Sequence, residues 1–443
     1  MKNFILTISL FSLFSISIFA NSVLTLGTRS SSDIDSMPAK QIRDTRTIKQ
    51  DTTPFTKQVT VMSNEEQLNY DQEYNEKFFS PWQFPYMNLT EEEKSWQMKY
   101  ANEKTYRRNG RRISKKWFNS TIANSNFSNY ESLSLPAITI KHADLKLFPT
   151  QKGIYYDPKR TGEGFPFDYN QNSSIHVNTP LLVSHYSLDK KWVYAKTSYA
   201  FGWIKASNIA FVDQTFISEF QNGDYAITVK DNLQLLEDGR YLSIVKMGTI
   251  FPVDPISKQY LRAKKNIRGY ATIDKVDVKD VDIIAYKPIK FNPYNVAYIS
   301  KQLVGEPYGW GGKLETRDCS ALTRDFFAPF GIYLRRNSRQ QAQDGNDFIS
   351  LKGLDSKSRK ETILQNAKPC RSLLFVPGHI MLYLGERKNE PIILHNYWGV
   401  RLNSGKKRVM GRAVITTTKM GAERSDVKKK SMLINTLTGI VNF

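Results

Sequence analysis

The segment GWGGKLETRDCSALTRDFF, residues 309–327, contains one of the two cysteines in a chain of 443 residues. Glycines and a tryptophan precede this cysteine, and an apolar run with helical spacing follows it. Asp318 is a favourable N-cap residue, which predicts that a helix begins at Cys319. Because free N–H groups at the positive end of a helix stabilise an anion, this position favours a thiolate and a lowered thiol pKa. Cys319 is therefore a candidate nucleophile.

Histidine is rare in this chain, and two of the five histidines follow Cys319 in successive strand-like segments. His379 lies in RSLLFVPGHIMLYLGE, and His395 lies in NEPIILHNYWGVR. Adjacent antiparallel strands can place these histidines side by side, facing the start of the helix. A base and a second residue that fixes its tautomer would then complete a nucleophilic site. The same residues also fit a small buried cysteine with two structural histidines, and they are too few for the usual zinc site.

The first 135 residues change in composition along the chain. Residues 1–20 combine an early lysine, an apolar core and a final alanine, which predicts a secretory signal peptide; the alternative is an uncleaved membrane anchor. Residues 21–65 are polar with few large apolar side chains, which predicts a flexible leader. Residues 66–135 are predicted to be a helical segment, with a capping box at Thr90 and Glu93.

The rest of the chain is predicted to be rich in strands. Short β-branched and aromatic segments, split by turn residues, predict two small antiparallel barrels at residues 136–213 and 214–288. In residues 289–443 helical patterns come first and strands follow, which predicts an α+β domain.

The formal net charge of the chain is +21. A basic exported protein meets anionic lipid or an anionic cell wall, and export makes nucleic acid the least expected partner. The alternative is a diffuse, solvated basic surface without a partner. Two cysteines do not form a disulfide scaffold; they make one bridge or leave Cys319 as a free thiol.

Motifs in the last third of the chain resemble the NlpC-type family of bacterial cell-wall cysteine peptidases. That family has Tyr-x-Trp-Gly-Gly, then Asp-Cys-Ser, then a Gly-His-x-x-x-Tyr-x-Gly strand and a third polar residue, often histidine. The matching segments are YGWGG (308–312), DCS (318–320), GHIMLYLG (378–385) and ILHNYWG (393–399). The family's Arg-x-Ser-x-x-Gln…Gly run is matched at Arg336, Ser338, Gln341 and Gly345.

The segment from EGFPFDYNQ to GWIKASNIAF resembles the first of two bacterial SH3-like barrels that precede the peptidase domain in one form of this family. The resemblance therefore implies an α+β fold with a C-terminal papain-like domain, residues 289–443, after two SH3-like barrels and an N-terminal helical segment. It implies Cys319 as the nucleophile, His379 as the base and His395 as the residue that orients it.

The resemblance also implies a grip on the free amino end of a cell-wall stem peptide, with the Asp318 carboxylate paired to the ammonium. The residues implied for this grip are Tyr308, Trp310, Asp318 and Ser320. The family often has Pro-Gly-Asp where this chain has Cys370 and Arg371. Because a Cys319–Cys370 disulfide would abolish catalysis, Cys370 is expected to be structural.

The implied activity is hydrolysis of peptidoglycan stem peptides at the γ-D-glutamyl–diamino acid bond, in peptides with a free N-terminal L-Ala. The expected enzyme is an exported monomer of the periplasm or cell envelope, with no metal or cofactor, no nucleic-acid partner and no membrane span after signal cleavage. The alternatives are a wall-binding protein without catalysis and a cysteine amidase or acyltransferase on the same fold.

Overall fold

A computed structural model of the chain describes residues 22–27 and 42–443. The predicted signal peptide, residues 1–20, lies outside these residues. The first described strand is β1 (Ser22–Thr25). Helices, two barrels and a C-terminal α+β domain then follow in the predicted order. In the described part of the chain, no helix combines the length and apolar character needed to cross a bilayer.

Short helices of the N-terminal segment pack against the other domains. They are α1 (Arg43–Thr47), α2 (Thr53–Thr56), α3 (Asn64–Phe79), α4 (Glu91–Ser95), α5 (Lys99–Asn102) and α6 (Lys115–Asn124). The capping box predicted at Thr90 and Glu93 is confirmed, because both of its hydrogen bonds are present at the start of α4. In α3, the Gln67 amide donates to the carbonyl of Phe330 at 3.1 Å, which ties the segment to the C-terminal domain.

The first barrel is a single antiparallel sheet with the order β4-β3-β7-β6-β5-β2-β8. Its strands are β2 (Leu135–Thr139), β3 (Ala143–Lys146), β4 (Gln171–Ile175), β5 (Pro180–Tyr186), β6 (Trp192–Lys196), β7 (Phe201–Lys205) and β8 (Ile209–Phe211). Inward-facing Leu145, Val183 and Ile204 are fully buried and form its core. Burial of these alternating apolar side chains is the main stabilising term for so small a barrel.

The second barrel follows α7 (Gln214–Phe220) and is built from two sheets, β12-β9-β15 and β11-β10-β1-β14-β13. Its strands are β9 (Tyr225–Thr228), β10 (Leu233–Glu237), β11 (Arg240–Val245), β12 (Ile250–Pro252), β13 (Tyr260–Lys265), β14 (Ala271–Val278) and β15 (Ile284–Tyr286). Strand β1 from the N-terminal region thus lies inside this barrel, antiparallel to β10 and parallel to β14.

The prediction of a flexible leader at residues 21–65 is wrong where the structure describes it. Leu24 of β1 is fully buried in the barrel core, and the Ser22 hydroxyl donates to Asp274 at 2.6 Å. Helices α1 and α2 also fall in this range. Composition does not predict β1 because a strand of four residues has few apolar side chains. Its partner strands also lie far away in the sequence. Residues 21 and 28–41 lie outside the described residues.

The C-terminal domain packs its helices against one sheet with the order β16-β21-β17-β18-β19-β20. The helices are α8 (Pro293–Lys301), α9 (Cys319–Phe327), α10 (Ser338–Gln341), α11 (Ser356–Asn366) and α12 (Leu433–Thr436). The strands are β16 (Asp347–Ser350), β17 (Ser372–Val376), β18 (His379–Arg387), β19 (Glu390–Arg401), β20 (Lys407–Thr417) and β21 (Gly439–Asn442). Leu322 and Phe326 of α9 are fully buried in one core with Leu382 and Leu394, which places the start of α9 beside β18 and β19.

The inserted strand gives a stability prediction. In Leu24→Asp, a carboxylate enters the barrel core without a partner, which costs several kcal/mol. We expect hydrogen–deuterium exchange with mass spectrometry to show lost protection in β10 and β14. Leu26→Asp is the matched control, because Leu26 is 49% exposed. Unchanged protection in Leu24→Asp would contradict the inserted strand.

Candidate active site

The start of α9 presents Cys319 to the sheet. The predicted N-cap is confirmed: the Asp318 side chain accepts from the N–H of Ala321 at 2.9 Å, and Cys319 is the first helical residue. Cys319 is buried, with 8% of the residue exposed. Backbone N–H groups of Ser320 and of Ile380, the residue after His379, lie close enough to donate to its sulfur.

The two histidines of the last third form a hydrogen-bonded pair. His379 Nε2 and His395 Nδ1 are 2.9 Å apart, so the prediction that they lie side by side is confirmed. His395 is fully buried, and its Nε2 lies 3.1 Å from the hydroxyl of Thr416. His379 is half-buried. Nδ1 of His379 is the ring nitrogen that this pairing leaves available to the thiol of Cys319.

The two glycines of the YGWGG segment join the first barrel to the C-terminal domain. Gly311 and Gly312 have φ values of 62° and 78°, a region that strongly favours glycine. A Cβ at residue 311 would lie 2.8 Å from the Gln171 carbonyl oxygen, and one at residue 312 would lie 2.1 Å from the Ser174 hydroxyl. Both glycines are therefore needed because β4 passes directly against this loop.

The carboxylate of Asp318 already has a full set of partners. Its Oδ1 accepts from the N–H of Ala321 at 2.9 Å, from Arg336 at 3.0 Å and from the Ser320 hydroxyl at 3.2 Å. Its Oδ2 accepts from Arg336 at 2.7 Å and from the N–H of Gly311 at 3.0 Å. Burial alone would raise the pKa of Asp318, but Arg336 and these donors hold the pKa below its usual value. The role of Asp318 as partner of a substrate ammonium stays a prediction.

Aromatic side chains from the barrel and the C-terminal domain form one wall beside the thiol. The half-buried Tyr308 and Trp310 have ring centroids 5.6 and 5.3 Å from that of Phe167. Trp310 also contacts Tyr169 at 5.5 Å, and Tyr308 contacts Trp398 at 5.8 Å. The two aromatic residues predicted to line the slot are thus fixed in place by the first barrel.

A cleft of about 1040 Å³ opens in front of Cys319 and is bounded by three parts of the chain. The C-terminal domain contributes all four residues predicted to bind the substrate, namely Tyr308, Trp310, Asp318 and Ser320. The first barrel contributes Tyr169, Gln171 and Tyr199, and the N-terminal segment contributes Glu92, Trp96 and Tyr100. The pocket is large enough for a short peptide and is walled on the side of the barrel.

The ionisation of the site differs from the thiolate predicted from the helix start. Burial raises the pKa of the Cys319 thiol to about 12, and the neighbouring Asp318 carboxylate adds to this rise. Burial also lowers the pKa of His379 to about 3. The prediction of a lowered thiol pKa is therefore contradicted, because desolvation outweighs the effect of the helix end. Both shifts favour a neutral thiol and a neutral imidazole at neutral pH.

The second cysteine lies outside the site. Cys319 and Cys370 are both free thiols, so the alternative of one disulfide is excluded. Cys370 is fully buried, which agrees with the structural role expected for it. Arg371 donates to the carbonyl of Phe443 at 2.9 Å and is not in the cleft. Among the described residues, no three His, Cys, Asp or Glu side chains are grouped to hold a metal ion.

Sequence reasoning missed several residues of the site. The motif match includes Arg336 but assigns it no role in the site. For Thr416 the sequence predicts only that it lies in a strand. The barrel residues Tyr169 and Gln171 stand in the FDYNQ segment, which the resemblance covers without indicating which side chains face the cleft. Only their contact with the YGWGG loop identifies them.

The neutral pair predicts slow alkylation of Cys319 at neutral pH. Because the reactive thiolate forms only as the pH approaches about 12, the rate with iodoacetamide should rise about tenfold per pH unit between pH 7 and 9. Mass spectrometry of the peptide that contains Cys319 measures this rate. Chain unfolded in guanidinium is the control and should react faster at pH 7. If the folded protein were alkylated faster than the unfolded chain at pH 6, the neutral pair would be contradicted.

Comparison with known proteins agrees with this arrangement along the chain. Residues 305–418 match the model of the NlpC/P60 family, and residues 4–130 match the NLPC_P60 stabilising domain, N term. Residues 154–205 match an SH3 domain of the SH3b1 type, and residues 213–258 match one of the SH3b2 type.

Proteins similar to the chain include a curated protein and a solved structure. A curated protein named dipeptidyl-peptidase 6, from Lysinibacillus sphaericus, is 24% identical over 212 residues, which cover 45% of this chain and 72% of that protein. The solved structure of an NlpC/P60 endopeptidase from Photobacterium damselae subsp. piscicida shares the fold. Its TM-score is 0.80 at 23% identity, over 89% of this chain and 97% of that one. The chain thus belongs to the NlpC/P60 family of cysteine peptidases, in the form in which a stabilising domain and two SH3 domains precede the peptidase domain.

Proposed function

We propose that the protein is an endopeptidase that cleaves peptidoglycan stem peptides at the γ-D-glutamyl–diamino acid bond. Its substrates are peptides with a free N-terminal L-Ala, so the bond that is cleaved follows the second residue. The observation that carries the proposal is Cys319 at the start of α9, beside the paired His379 and His395, in a cleft walled by the first barrel. The name of the curated relative, a dipeptidyl-peptidase, supports cleavage after a second residue.

In the proposed reaction, Cys319 Sγ attacks the carbonyl carbon while Nδ1 of His379 takes the thiol proton. The N–H of Cys319, in the first turn of α9, stabilises the oxyanion. His379 returns the proton to the leaving amine, so the C–N bond breaks and a thioester remains on Cys319. A water molecule, deprotonated by His379, then hydrolyses the thioester. His395 orients His379 through the 2.9 Å hydrogen bond.

The amino end of the peptide is proposed to bind where the Ser320 hydroxyl now contacts Asp318. That contact, at 3.2 Å, is the longest of the five that Asp318 accepts. A carboxylate has about four favourable acceptor positions, so an ammonium has to displace a partner rather than add to the set. Tyr308 and Trp310 then flank the first residue of the peptide.

We further propose that the protein is exported as a monomer to the periplasm or cell envelope. The apolar residues 1–20 and the match to SH3 domains support this location. The net charge of +21 favours association with an anionic cell wall.

Two other functions compete with this one. A wall-binding protein without catalysis would not require the spatial grouping of Cys319, His379 and His395, although it would tolerate it. A cysteine amidase or acyltransferase would use the same three residues on another bond. The masses of the products separate these functions.

The proposal predicts cleavage of L-Ala-γ-D-Glu-diaminopimelate by the mature protein, and at least about tenfold slower cleavage of the N-acetylated peptide. Acetylation removes the charge that a buried carboxylate recognises, and charged hydrogen bonds of this kind contribute about 1.5–3 kcal/mol each. Liquid chromatography with mass spectrometry measures the released L-Ala-γ-D-Glu and diaminopimelate.

Cys319→Ala is the control for the nucleophile, and Cys370→Ala is its matched counterpart. Activity should be lost in the first variant and kept in the second. Cleavage by Cys319→Ala at the wild-type rate, or no cleavage of either peptide by the wild type, would refute the proposed peptidase. Preference for the acetylated peptide would refute the grip on the amino end.

A further inference from the structure

We infer that Thr416 is a positioning residue, whose hydroxyl accepts a hydrogen bond from His395 and so holds the histidine pair in the tautomers that let His379 act as a base. The inference rests on the proposed function for its kinetic consequence. Its structural part, the tautomer of His395, concerns the protein itself and can be measured without a substrate.

The observation is a linear chain of hydrogen bonds behind Cys319. His379 Nε2 lies 2.9 Å from His395 Nδ1, and His395 Nε2 lies 3.1 Å from Thr416 Oγ1. His395 and Thr416 are both fully buried, so water does not compete for these atoms. The ring of Tyr397 stacks on His395 at 5.0 Å and lies 5.1 Å from His379, which restrains the orientation of both imidazoles.

Each neutral imidazole carries one N–H, so the chain has two arrangements. In the first, His379 Nε2–H donates to His395 Nδ1, and His395 Nε2–H donates to Thr416. In the second, Thr416 donates to His395 Nε2, and His395 Nδ1–H donates to His379 Nε2. The second arrangement puts the proton of His379 on Nδ1, so that nitrogen cannot accept the thiol proton.

Only the first arrangement leaves a lone pair on Nδ1 of His379, the nitrogen proposed to accept the thiol proton of Cys319. The hydrogen bonds of the first arrangement also stay intact after proton transfer, because the His379 imidazolium still donates from Nε2 to His395. The His395 Nε2–H then needs an acceptor beside a buried positive charge. A hydrogen bond beside a charged group stabilises a buried site more than a hydrogen bond between neutral groups does. Losing it therefore costs more free energy. Thr416 supplies this acceptor.

Thr416→Val removes the hydroxyl and keeps the shape of the side chain. We expect kcat to fall at least tenfold, since losing about 1.4 kcal/mol of stabilisation changes a rate by that factor, while KM stays within about twofold. Thr416→Ser keeps the hydroxyl and should retain most of the wild-type kcat. A purely structural role would not separate kcat from KM in this way.

Thr418→Val is the matched control. Thr418 is also fully buried, two residues further along the chain, and its hydroxyl has no hydrogen-bond partner among the described residues. Its replacement should leave kcat unchanged. Thermal unfolding of all three variants shows whether each is folded before its activity is compared.

Nitrogen-15 NMR of labelled histidines tests the tautomer without a substrate. The wild type should show His395 protonated at Nε2 and unprotonated at Nδ1, and Thr416→Val should lose this preference. A wild-type His395 protonated at Nδ1 would overturn the inference, as would a Thr416→Val enzyme with wild-type kcat or a Thr416→Ser enzyme as slow as Thr416→Val. A wild type without peptidase activity refutes the proposed function, yet the tautomer measurement still decides the inference.

Discussion

The buried ion pair between Asp318 and Arg336 is the contact on which the site depends. The two residues are 9% and 7% exposed, and their side chains meet through two hydrogen bonds of 3.0 and 2.7 Å. The same carboxylate caps α9 and holds the N–H of Gly311, while Arg336 Nε donates to Ser173 of the first barrel at 2.8 Å. Breaking such a pair leaves a buried charge without a partner and costs about 3–5 kcal/mol. One contact therefore fixes the nucleophile helix, the glycine loop and the barrel together.

Arg317, the residue before Asp318, extends this connection to the second barrel. Arg317 is 1% exposed and donates to Asp231 of that barrel at 2.8 Å, to Glu306 at 2.9 Å and to Asp325 of α9 at 2.7 Å. Strand β1 completes the same barrel from the other end of the chain. The geometry around Cys319 thus depends on residues from both barrels, which explains why a small catalytic domain is built onto so large a frame.

The order of the domains and the placement of Cys319, His379 and His395 can be predicted from the sequence because they rest on local signals. An N-cap before Cys319 and two strand-borne histidines need no knowledge of distant contacts. The rest depends on contacts between distant residues: β1 pairs with strands far along the chain, and Asp318 is occupied by Arg336. The pKa of Cys319 is set by burial, which a helix start does not reveal. Thr416 was invisible for the same reason, since its partner lies on a neighbouring strand.

We propose that Cys319, with His379 as its base, forms a covalent thioester with the stem peptide during turnover. The most direct measurement is mass spectrometry of the protein after rapid acid quenching during turnover of L-Ala-γ-D-Glu-diaminopimelate. An L-Ala-γ-D-Glu adduct is expected, held as a thioester on the peptide that contains Cys319. An adduct on Cys370, or steady release of products with no adduct under single-turnover conditions that trap the intermediate, would contradict it.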